Sequence, residues 1–260
     1  MDRPVTIKQI AKESGMSIAT VSRVMNGTAP VSETTRAKVN EVIRRHRYIP
    51  NAFARSLISQ QSMTIGIIMP DISNPYFSAM FSEFEKAAQE TGYAVLLYNT
   101  AFRAAGAQKM TFREPDYFQM MLDKKVDGVI VAGGQADLLK VSDKYRTALQ
   151  HMASRIPAIV LGNPISGVDC RFIQRERGQG VFSAVSYLAS LGHQRIAFVG
   201  GETGVSITEA RLQAYWDALC SLKLSKDPRL VAQSDYYAPD GYRAFRCCWN
   251  ARLLLPHFLP

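Results

Sequence analysis

The sequence predicts an all-α helix-turn-helix N-terminal domain followed by an α/β core of two doubly wound lobes, the second incomplete. Three observations carry this fold class. Between residues 6 and 46 apolar residues recur at helical spacing around a glycine break. From Thr64, near-continuous apolar runs ("TIGIIMP", "YAVLLY", "VDGVIVAG", "IPAIVLGN") alternate with helical stretches, the pattern of buried parallel strands and their crossovers. After Asn163 the same rhythm begins again. The chain has 260 residues, 47% hydrophobic and 20% charged, enough for a packed core of this kind.

The elements follow in order. Thr6-x-x-Gln9 is a capping-box pattern that opens a helix, with Ile7, Ile10 and Ala11 on one face. Gly15 breaks it and permits a tight turn. Ser17 caps a second helix whose inner stripe is Val21, Val24 and Met25. A third starts at Ser32 or Glu33, with Val39, Val42, Ile43 and His46 inward. Three stripes share one miniature core. The outer face of the second helix carries Ala19, Ser22, Arg23 and Asn26, with Ile18 and Thr20 at its start. Such a helix suits a DNA major groove, where Arg23 reads a base edge while Thr20, Ser22 and Asn26 meet phosphates. Thr6, Ser17, Ser32 and Thr35 are counted with them as DNA-contacting residues. A plain small helical bundle is the competing reading. The formal net charge is +9, and residues 1–60 hold more than half of the excess, which favours a polyanion as partner.

Pro50 ends the third helix. "NAFARSLISQ" is then a short helix, marginal alone, with Asn51 as cap, Arg55 basic and Leu57 as a wedge for the minor groove. An interdomain linker is the alternative. In the core, Asn74-Pro75 starts a helix with Phe77, Met80, Phe81 and Phe84 on one face, and Gly92 closes it. A helix is expected from about Gly178 to Leu191, a strand at "RIAFVGG", and a helix capped by Ser206-x-x-Glu209 and running to Leu222. The expected divisions are 1–50, 51–63 (hinge and linker), 64–162 (first lobe) and 163–260 (second lobe).

"TIKQIAKESGMSIATVSRVMNG", "VSETTRAKV", "YIPNAFARSL" and "GIIMPDISNPYF" occur in that order, followed by "VDGVIVAGG", "LGHQRIAFVGG" and "RLQAYWDAL". Together they resemble the lactose-repressor (LacI) family of bacterial transcription regulators, from about Thr6 to Leu219. The resemblance implies a periplasmic-binding-protein-like core with a small effector, such as a sugar or nucleoside, between its lobes. It also implies a homodimer on a palindromic DNA operator. Asp71, Tyr76 and Phe77 match the stretch the family uses against the effector, and Arg211 matches an arginine that grips its polar groups. Asn163, at a strand end, is a further candidate. Asn74 acting only as cap, Phe77 only as core and Arg211 as a solvated residue are the alternatives. Glu176-Arg177 departs from the family's Asp-Asn pair.

After "PDGYRAF" the chain gives "RCCWNARLLLPHFLP", unlike the family. Reading from the third base of the Arg246 codon turns the Cys-Cys-Trp-Asn codons into a Leu-Leu-Glu-type helix end. The expectation is a frameshift that leaves the second lobe partial, with effector binding lost and dimerisation impaired. Met1 to Pro4 has no apolar run behind it, and no run of about eighteen apolar residues exists. Cys170, Cys220, Cys247 and Cys248 show no metal spacing. A cytoplasmic location, no membrane, no cofactor, no metal and no enzyme activity are expected. A solute-binding protein of transport, or an enzyme modifying a sugar or nucleoside, stays open as an alternative.

Overall fold

The computed structural model describes residues 5–27, 29–46, 48, 61–101, 114–174 and 178–250. It divides into two compact units, Met1–Ser62 and Met63–Pro260. Asn51, Arg55, Leu57, Glu176-Arg177 and the tail from 251 lie outside the described residues.

In the first unit, α1 (Ile7–Ser14), α2 (Ile18–Asn26) and α3 (Glu33–Arg45) pack around Ile10, Ala11, Val21, Val39 and Val42. Thr6, Ser17 and Ser32 cap the three helices through their hydroxyl oxygens, which accept from the N–H groups of Gln9, Thr20 and Thr35. Only half of the expected capping box forms. The Gln9 amide does not reach back to Thr6 but donates to Glu13 Oε1 at 3.1 Å, one turn on. Glu13 also receives His46 from the end of α3 at 2.5 Å, which ties the first helix to the last. That bond from His46 holds the Glu13 carboxyl below the usual range. Gly15 closes α1 in the left-handed region, at φ 68°, a conformation any side chain would strain.

The second unit opens with a five-stranded parallel sheet in the order β2-β1-β3-β4-β5. Its strands are β1 (Thr64–Met69), β2 (Ala94–Asn99), β3 (Gly128–Ala132), β4 (Ala158–Leu161) and β5 (Arg171–Phe172). The crossovers are α4 (Pro75–Glu90), α5 (Glu114–Lys124) and α6 (Asp143–Ala153). Asn74 caps α4 by accepting from the Tyr76 N–H, with Pro75 in the first turn where a missing N–H costs nothing. Phe118, Met121, Tyr145, Leu149 and Met152 fill one side of the sheet, and Phe77, Met80, Phe81 and Phe84 cover the other.

The division expected at 162/163 is corrected here. Arg171 and Phe172 pair with Ile159 and Val160, and Phe172 packs on the first lobe's core, so the first sheet runs past that point. The second lobe holds α7 (Gln179–Ser190), β6 (Phe198–Val199), α8 (Ser206–Ser221), β7 (Val231–Ala232) and α9 (Ala238–Asn250). Of "RIAFVGG" only Phe198–Val199 pairs, with β7, in a two-stranded parallel sheet. Ser206 does not cap α8. Val205 takes the cap position and Ser206 is the first helical residue, buried with its side chain turned into the protein. An open groove of about 760 Å³ runs along β6, with Val181, Val185, Leu188 and Phe198 in its walls. No described helix is long and apolar enough to cross a membrane.

A buried carboxyl sits where the first lobe turns after β3. Glu114 is 3% exposed, and its Oε2 accepts from the Gln135 N–H at 2.9 Å. Gly134 lies against it at φ 68°; a Cβ there would come within 1.8 Å of Glu114 Oε1. Thr100 and Tyr145, both fully buried, and Asp137 surround the group. Burial first, and then the Asp137 charge, push the Glu114 carboxyl up to about 7 from its ordinary 4.5. Between those two values the folded chain keeps a proton that the unfolded chain has released. The stability this group contributes is therefore present below pH 4.5 and is lost as the pH rises to about 7. Glu114→Gln, neutral at every pH, should gain on the order of 3 kcal/mol on the wild type across that window. Thermal unfolding of the two chains over a pH series measures it; a gap that stays constant would show that no proton is held there.

Candidate nucleic-acid interface and ligand cleft

In the first unit α2 has one buried and one exposed side. Val21 is fully buried, whereas Ala19 and Arg23 are exposed and Ile18, an apolar residue, is 46% exposed. Thr20 and Ser22 are half-buried on the flanks. The side chain of Asn26 is not among those described. Each helix N-terminus directs N–H groups outward beside the hydroxyls of Thr6, Ser17 or Ser32, an arrangement that suits phosphate oxygens. Ser17 Oγ lies 2.9 Å from Thr20 Oγ1, and Ser32 Oγ lies 2.9 Å from Thr35 Oγ1, so two hydroxyl pairs flank α2 and α3 at their starts. Chemically the surface of α2 offers the Arg23 guanidinium, a row of hydroxyls and a small apolar patch.

The second unit contains a cleft of about 300 Å³ between its lobes. One wall comes from the ends of β1 and β3: Asn74, Tyr76 and Phe77, then Gly134 and Asp137. The facing wall comes from the ends of β6 and β7: Glu202, Val205 and Arg211, then Asp235, Tyr236 and Tyr237. All four segments follow the carboxyl ends of parallel strands, where doubly wound sheets bind ligands. Tyr76 and Phe77 meet edge to face with centroids 5.1 Å apart. Phe77 does two jobs, since it lines the cleft and also packs so close to Gly133 that a Cβ there would lie 2.9 Å from its Cζ.

Backbone and side chains join the walls. The Leu139 N–H donates to the Gly204 carbonyl at 2.9 Å, and Leu138 bridges Val205. The Tyr237 hydroxyl donates to Asp71 Oδ2 at 2.6 Å. Tyr236 meets Thr208 through its hydroxyl. Burial raises the Tyr236 phenol; its hydrogen bond with Thr208 and the Arg211 charge oppose that shift, and the Asp137 and Glu202 charges add to it.

Of the residues named from the sequence, Tyr76, Phe77 and Arg211 line the cleft together. Asp71 stands at its edge with both oxygens engaged, Oδ1 by the Ser73 N–H and hydroxyl and Oδ2 by Tyr237. Asn163 is not part of the lining, and its Oδ1 accepts from Gln174 at 3.4 Å. Asp137 was missed, although "GGQAD" directly after a strand was a usable signal. Tyr236 and Tyr237 gave none, because only the fold brings residue 237 to residue 71. Both walls of the cleft are in place by residue 237, ahead of the altered tail.

Comparison with known proteins follows the same division. Residues 6–51 match the model of bacterial regulatory proteins of the lacI family, and residues 62–247 match that of periplasmic binding proteins and the sugar binding domain of the LacI family. Catabolite control protein A of Staphylococcus xylosus is 32% identical over 248 residues, covering 95% of this chain and 71% of that protein. The HTH-type transcriptional regulator DegA of Bacillus subtilis (strain 168) is 32% identical over 239 residues, covering 91% and 67%. The lac repressor dimer bound to operator and an anti-inducer has the same fold, with a TM-score of 0.78 at 24% identity over 96% of this chain and 72% of that one. These relatives are regulators rather than enzymes, and a DNA-binding segment has no place in a transport protein, which sets the transport reading aside. One family accounts for both parts in the right order along nearly the whole length, and this chain therefore belongs to the LacI family of DNA-binding bacterial regulatory proteins.

Proposed function

We propose that the chain is a repressor that binds a palindromic operator as a homodimer in the cytoplasm, and that a small ligand in the cleft, a sugar or nucleoside, alters that binding. The observation that supports it best is the two-sided character of α2, with Val21 sealed in the core and Arg23 presented outward. Arg23 takes a guanine edge in the major groove, and Ile18 and Ala19 favour thymine methyls. Thr6, Ser17, Thr20, Ser22, Asn26, Ser32 and Thr35 hold phosphates and fix the register. A single helix-turn-helix makes a small interface, so two must act on two half-sites. Asn51, Arg55 and Leu57 then lie at the centre of the operator, with Leu57 entering the minor groove.

The cleft couples to this through the two lobes. A ligand touching Tyr76 and Phe77 on one wall and Arg211 on the other favours the closed arrangement over an open one. It can shift DNA affinity only by that difference in affinity between the two arrangements.

Two measurements test the DNA side. Arg23→Ala should cost ~1–3 kcal/mol against the specific operator and little against random DNA. Gel-shift titrations on both sequences separate the outcomes, and an equal loss on both would remove Arg23 from base reading. Leu57→Ala should abolish the operator bend and most specific affinity while leaving the α1–α3 core folded. Bending that survives this substitution, seen by circular-permutation mobility of the DNA, would remove Leu57 from the minor groove.

A further inference from the structure

Two adjacent tyrosines just before α9 send their hydroxyls to different lobes. Tyr236 stays within its own lobe and meets Thr208 on α8. Tyr237 crosses, and its hydroxyl donates to Asp71 Oδ2 at 2.6 Å. Both ends of that bond are anchored. Asp71 stands two residues past β1, and its Oδ1 accepts from the Ser73 N–H at 2.9 Å and the Ser73 hydroxyl at 2.7 Å. Its carbonyl accepts from the Asn74 N–H at 3.2 Å, and the Ile72 N–H donates to Asn99 Oδ1 at the end of β2 at 3.3 Å. The carboxylate is thus presented by a turn tied to the first sheet. On the other side, the Tyr237 carbonyl accepts from the Asp240 and Gly241 N–H groups at 3.0 Å each, which fixes the residue to the start of α9.

A hydroxyl donating to a carboxylate at 2.6 Å is of the short, charge-assisted kind, roughly twice as strong as a bond between neutral groups. Asp71 and Tyr237 are both half-buried, so water competes less for them than on an open surface. A second crossing is made by backbone alone, from the Leu139 N–H to the Gly204 carbonyl at 2.9 Å. The segment after β1 therefore grips the one after β7, and the segment after β3 grips the one between β6 and α8. The lobes cannot part along the cleft without giving up both bonds. We propose that Tyr237 and Asp71 form a clasp that holds the two lobes together at the edge of the cleft and sets how readily they part. Tyr237 is then a positioning residue, and Asp71 commits both oxygens to the clasp and its turn rather than to a molecule in the cleft. The clasp is a property of the chain itself and stands whatever molecule the cleft takes.

Amide hydrogen exchange, followed residue by residue by NMR on the full chain, tests it. The Leu139 N–H is bonded across the lobes and exchanges when they part. The Val129 N–H, bonded to the Pro157 carbonyl, and the Gly200 N–H, bonded to the Ala232 carbonyl, report on the first and second sheets separately. Tyr237→Phe removes one oxygen and keeps the ring. It should speed exchange at Leu139 by about tenfold and leave Val129 and Gly200 as they were. Asp71→Asn retains a neutral acceptor and should speed it by only about threefold. Asp71→Ala should match Tyr237→Phe, and adding Tyr237→Phe to it should change Leu139 by less than about twofold. Unchanged exchange at Leu139 in Tyr237→Phe overturns the clasp. An equal rise from Tyr237→Phe with and without Asp71 does so too, because the tyrosine would then act through another group. A parallel rise at Val129 or Gly200 also overturns it, since the substitution would then loosen a lobe rather than separate two.

Discussion

The parallel direction of the strands is the constraint on which the ligand-binding unit depends. In β1, β3, β6 and β7 the chain runs the same way within each sheet, so every strand delivers its following loop to the same end of its lobe. Residues far apart in sequence therefore meet: Tyr76 after β1, Asp137 after β3, Arg211 beyond β6 and Tyr237 after β7. An antiparallel arrangement would scatter these loops to opposite ends. The buried runs that force the parallel sheet, such as Ile67, Ile68 and Met69, thus decide where the chemistry lies although none of them takes part in it.

The first unit solves a different problem. Among the described residues its fully buried core is five small or branched residues, too little to stabilise much by burial alone. Caps on three helices and the Glu13–His46 bond between α1 and α3 add local support. Spending so few residues on the core leaves the outer side of α2 free for Arg23, Ala19 and Ile18. The short unit at the start of the chain is accordingly small because its surface, rather than its interior, carries the function.

Much of this was legible in the sequence, and the reasons are physical. Helical spacing around Gly15 and cap residues at Thr6, Ser17 and Ser32 are local signals, so the three helices were readable one residue at a time. The same held for β1, β3 and β4, whose apolar runs are buried on two sides. The second lobe was less readable. "RIAFVGG" has the composition of a strand, yet only two of its residues pair, because pairing depends on a neighbour supplied from elsewhere. β5 was missed for the same reason, as two residues carry no periodicity. At the cleft, Tyr76, Phe77 and Arg211 came from motif resemblance, whereas the Asp71–Tyr237 bond spans 166 positions and has no local trace.

That bond bears on how the cleft could respond to a ligand. Tyr237 to Asp71 and Leu139 to Gly204 draw the walls together. A ligand between them meets the ring faces of Tyr76 and Phe77 on one wall and the guanidinium of Arg211 on the other, and it favours closure only by what it gains from touching both.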